Sequence, residues 1–119
     1  MNIWVDDIRP APEGWVWCKS VEEVKNQILY CNYMVAEAAR KGEPIDKKYF
    51  IDIISLDHDS GDYYNDGGDY IEFLKWYEWL RDGGGSYTKF HFHSMNPVGV
   101  QNMRAIIEHN NWTEIFSIE

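Results

Sequence analysis

The chain has 119 residues, 45% of them hydrophobic and 16% aromatic, which is the make-up of one packed globular domain, residues 1–119, rather than of a disordered segment. Eleven basic residues against 20 acidic ones leave a formal charge of -9, a field that repels duplex nucleic acid, whose binding rests on Lys and Arg neutralising phosphates. A bilayer span and a signal peptide are not expected, because no run of about 18 apolar residues exists and "MNIWVDD" lacks a basic, then apolar, start.

In chain order, "NIWVDD" reads as a short buried strand ending in Asp6 and Asp7, and "RPAPEG" behind it is turn chemistry. "WVWC", residues 15 to 18, suits a second short strand. Ser20 with Glu23 forms a capping box for a helix whose apolar stripe, Val21, Val24, Ile28, Cys31, Val35 and Ala38, runs to Gly42 and Pro44. "YFIDIISLD", residues 49 to 57, is rich in β-branched and aromatic residues and predicts the central strand, with Asp52 an unexplained charge inside it. A helix from about Asp69 to Arg81 follows, stopped by Gly83 to Gly85. "TKFHFHS" predicts a strand with Phe90 and Phe92 on one face and His91 and His93 on the other. Asn96 and Pro97 open a helix through Met103, Ile106 and Ile107, and "TEIFSIE" closes the chain as a strand.

Strands alternating with helices imply an α/β domain, a three-layer parallel sheet with helices on both faces. Only eight residues separate Asp6 from Trp15, fewer than the dozen or so of a helical crossover, so the first helix is expected to be missing. In such sheets ligands gather beyond the strands' carboxyl ends. Asp6 and Asp7, Asp57 to Asp59, and His93 to Asn96 all fall at such ends.

Carboxylates brought together from separate strands raise one another's pKa unless a cation joins them. All-oxygen ligation by Asp6, Asp7 and Asp57 suits Mg²⁺ or Mn²⁺ better than zinc. The plainer reading is that single acids cap turns or helices, and Asp6 alone fits either. An EF-hand fails because Gly68 stands where the bidentate Glu belongs. A haloacid-dehalogenase-like phosphatase fails on length and on Gly61 in place of its threonine, and the two-histidine phosphoesterases need a second His-x-Ser/Thr. His91 reads as a packing residue, whereas His93 lies nearer the rim. Ser94 and the helix start around Asn96 offer donors to a phosphoryl oxygen, and Arg9 offers a bidentate clamp or a partner for Glu13. Cys18 and Cys31 match no zinc spacing and read as free thiols.

Taken together, "VDDIRPAPEGW", "SLDHDSGD" and "FHSMNPVGVQNM" resemble the cyclic-phosphate processing receiver-like domain family, and through it the receiver fold of response regulators. The resemblance spans essentially the whole chain and implies a receiver/flavodoxin-like topology. It maps the receiver acid pair onto Asp6 and Asp7, the phospho-accepting Asp onto Asp57 and the Ser/Thr onto Ser94. The lysine that receivers carry after the fifth strand is missing from "IFSIE", which argues against a phosphorylation switch. What the resemblance implies is a metal-dependent phosphoesterase acting on a cyclic phosphate of a nucleotide or RNA end, in a chain whose amino terminus reads as that of a cytoplasmic protein. Asp6, Asp7 and Asp57 would hold Mg²⁺ or Mn²⁺, Asp57 being also a possible nucleophile; His58 or His93 with Asp59 would serve as acid and base, and Arg9, Ser94 and Asn96 would bind phosphate. The rival class is a non-catalytic receiver-like module for a phosphorylated ligand or partner protein.

Overall fold

The computed structural model describes residues 1–57, 68–82, 85–93 and 97–118. Five strands form one wholly parallel sheet in the order β2-β1-β3-β4-β5: β1 (Asn2–Val5), β2 (Val16–Cys18), β3 (Ile53–Leu56), β4 (Lys89–Phe92) and β5 (Thr113–Glu114). Helices α1 (Val21–Lys41), α2 (Gly68–Arg81) and α3 (Pro97–His109) connect β2 to β3, β3 to β4 and β4 to β5. This is the receiver-like α/β arrangement, and the chain reversal to β3 marks its switch point. Among the described residues no helix is long and apolar enough to cross a membrane.

Local chemistry accounts for the helix ends. The Ser20 hydroxyl accepts the Glu23 amide at 3.1 Å, and the Glu23 carboxylate reaches back to the Lys19 amide. Gly42 ends α1 in the left-handed region at φ 68°, its N–H turned to Ala38 and Ala39 carbonyls.

Every second strand residue feeds one apolar core. Ile3, Val5, Ile54, Leu56 and Phe90, all 0% exposed, pack with Val24 and Ile28 of α1, Phe73 and Leu74 of α2, and Met103 of α3. The three helices therefore share this face, where three layers with helices on both faces were expected, because the connection that would carry a helix to the other face is too short. Trp4, Ser55 and His91, in register across β1, β3 and β4, point to the other.

That second face is covered by the β1–β2 connection. Ten residues, 6–15, can span roughly 33 Å when extended, ample to return alongside strands of three or four residues without a helix. The Trp4 indole donates to the Arg9 carbonyl at 3.0 Å, and Trp15 meets Trp4 edge-on at 6.1 Å between centroids. Gly14, at φ 83°, supplies the left-handed residue before β2. The first helix is thus missing, and β2 is the parallel edge strand beside β1.

Two boundaries differ from expectation. The stretch 49–57 is not all strand: Asp46 caps a 3₁₀ turn, Lys47–Tyr49, by accepting the Lys48 amide at 3.0 Å, and β3 begins only at Ile53. Asp52, just before it, accepts the Met1 ammonium at 3.1 Å. The last strand is two residues long rather than seven, and Phe116 beyond it is 78% exposed.

Candidate metal centre

Three ladders run one step past the strands. The Asp57 amide donates to the Val5 carbonyl (3.0 Å), the His93 amide to Leu56 (3.1 Å) and the Asp6 amide to Cys18 (3.1 Å). Asp6, Asp57 and His93 consequently occupy one register row, and the period of two puts their side chains on the Trp4, Ser55 and His91 face. One ligand atom from each lies within 4.8 Å of the other two. Asp6 and Asp57 are buried at 1% and 8% exposure. A cluster of two carboxylates and an imidazole so placed can hold a metal ion.

Asp6 is held firmly. Its Oδ1 accepts the amides of Ile8 and Arg9, each at 2.8 Å, and its Oδ2 lies 3.0 Å from His93 Nε2. Burial works to raise the carboxyl's pKa, but the Arg9 and Ile8 amides and the His93 ring outweigh it, and the group sits below its ordinary range.

His93 lies flat against Trp4, 3.7 Å between centroids at 7°, and its Nδ1 is 2.7 Å from Ser55 Oγ. Burial depresses its pKa to about 4, against the opposing pull of Asp6. The ring is therefore neutral at physiological pH, the form that can ligate a metal.

Arg9 reaches the same rim: its Nη1 donates to the His93 carbonyl at 3.2 Å rather than pairing with Glu13. Asp7 does not join the three-residue cluster, but its Oδ1 is buried and finds no hydrogen-bond partner among the described residues. Asp7 follows Asp6 in the chain, and a buried carboxylate oxygen without a partner suits a cation or a bound water. His58, Asp59, Ser94 and Asn96 lie outside the described residues.

Sequence reasoning placed His93 at the rim with the acids but as an acid or base rather than a metal ligand, and it did not bring Ser55 and His91 behind it. The signal was the period of two: Trp4, Ser55 and His91 each stand two residues before Asp6, Asp57 and His93.

A parallel sheet of order 2-1-3-4-5 with acids at its carboxyl rim defines a receiver-like domain. Residues 1–109 match the cyclic-phosphate processing receiver domain, and the chain belongs to that family. No curated protein and no solved structure matches it.

Proposed function

We propose that the domain hydrolyses a cyclic phosphate, carried by a nucleotide or an RNA end, with a divalent cation, Mg²⁺ or Mn²⁺. The observation that carries this reading is the Asp6–Asp57–His93 cluster at the sheet's carboxyl rim. Its nitrogen donor favours Mn²⁺, since imidazole suits transition ions while Mg²⁺ prefers oxygen. Bound there, the cation would offset charge on the phosphate oxygens and lower the pKa of the attacking water.

The chain's own residues account for the rest. Arg9, whose Nη1 donates to the His93 carbonyl, would offer its further N–H donors to a phosphate at the rim. Asp7 would offer its buried Oδ1 to a water or to the cation. Ser94 and the amino end of α3 near Asn96 take the remaining oxygens. His93, buried and neutral, serves better as ligand than as acid, which leaves His58 with Asp59 as the acid/base pair. Water adds at phosphorus, one ring P–O bond breaks, and the proton lost by water ends on the leaving oxygen, giving a phosphomonoester.

The test is incubation of the protein and Mn²⁺ or Mg²⁺ with 2′,3′-cyclic nucleotides and with RNA bearing a 2′,3′-cyclic phosphate. Phosphomonoester should form with the wild type and not with Asp57→Ala. Equal rates for the two proteins on both substrates would refute catalysis.

A further inference from the structure

Ser55 is 0% exposed, and its Oγ lies 2.7 Å from the Nδ1 atoms of both His91 and His93. A hydroxyl carries one proton, so it can donate to only one of these nitrogens and must accept from the other. Asp6 decides which. Its Oδ1 is taken by two backbone amides, and its Oδ2, which accepts only, faces His93 Nε2. His93 therefore carries its proton on Nε2 and presents a lone pair on Nδ1. Ser55 donates to that lone pair and accepts Nδ1–H from His91, whose Nε2 is left bare.

We infer that Ser55 is a positioning residue that couples the two histidines, so that their ring protons occupy opposite nitrogens and the Asp6 carboxylate at the rim sets the direction of the whole chain. Reversing the group at His93 Nε2 from acceptor to donor reverses every bond behind it. Ser55 passes its proton to His93 Nδ1 and takes the one on His91 Nδ1, His93 Nε2 releases its proton to solvent and His91 Nε2 takes one up from solvent, so the total is unchanged and His91 turns from a bare Nε2 to Nε2–H. His91 lies two strand residues deeper, about 7 Å from the rim row, so the state of the rim is read on the sheet's second face. A cation seated on His93 Nε2 would cause the same reversal; that step alone rests on the metal reading above.

The experiment is 15N–1H long-range correlation of the full chain, 15N-labelled at its four histidines, in chelator at neutral pH. Wild type should show His93 protonated at Nε2 and His91 at Nδ1. In Asp6→Asn the side-chain oxygen keeps the Ile8 and Arg9 amides, so the NH₂ takes the place of Oδ2 and donates to His93 Nε2. Both rings should then change tautomer. Adding Asp6→Asn to Ser55→Ala should change His93 and leave His91 as it is in Ser55→Ala alone. Matching tautomers of the two rings in the wild type would overturn the coupling whether or not the variants fold, as would a lone His93 swap in Asp6→Asn. Mg²⁺ or Zn²⁺ added to wild type should reproduce the double swap; Asp6→Asn swapping while neither ion acts would count against the metal reading and leave the coupling standing.

Discussion

Acidification should weaken the fold through His93 before it does so through Asp6. The side chain is 7% exposed and lies between the Trp4 ring, Ser55 and Asp6, and its pKa falls from 6.5 to about 4. The unfolded chain takes up this proton near pH 6.5 and the folded chain only near pH 4. Stability from the neutral ring is thus complete above about pH 7 and is lost as pH falls between those values. A gap of roughly 2.5 pH units at about 1.36 kcal/mol each makes the loss on the order of 3 kcal/mol. His91, whose pKa burial also lowers against the pull of Glu114, acts in the same sense. Asp6 does not blur the window, because its carboxyl titrates below the ordinary range and costs stability only at lower pH. Urea unfolding in chelator at half-unit steps from pH 7.5 to 4 measures the slope. His93→Gln should be less stable at pH 7 and flatter across the window. The same slope in wild type and His93→Gln, or a His93 titration midpoint near 6.5 in the folded protein, would refute the reasoning.

Millimolar Mn²⁺ or Mg²⁺ should raise the melting temperature by mass action, by about 2.7 kcal/mol at a hundredfold excess over Kd, or on the order of 10 °C, and Asp57→Asn should abolish the shift. Trp4→Phe, which loses the indole bond to the Arg9 carbonyl, should cost about 1 kcal/mol in chemical denaturation and expose residues 7–15 to limited proteolysis. Ser20→Ala should cost about 1 kcal/mol by the same assay, through loss of the α1 cap, with the metal-induced melting shift unchanged.

Much of the fold was legible where the determinants are local. Ser20 with Glu23 and Gly42 bracket α1 within a few residues of the chain, and so the helix could be read directly. The boundary of β3 could not, because the Asp46 side chain offers the backbone a competing turn that residue preferences for strands do not register. The seat of β2 depended on whether ten residues can return without a helix, which strand length decides and composition does not. At the site, the rim acids were visible because each follows an apolar run. Their contacts were not: the Asp6 to His93 contact spans 87 positions, and Ser55 looks like an ordinary strand serine until β1, β3 and β4 are set in register.

The shared row of Asp6, Asp57 and His93 also fixes when this centre can exist. As the chain emerges from the ribosome, its first two acids can come together once β3 has joined β1, while the imidazole that completes the trio lies 36 residues further along the chain. Until β4 docks, the Asp6 Oδ2 lacks the His93 ring N–H that faces it in the finished sheet, so the late strand completes the core and satisfies that carboxylate in one event.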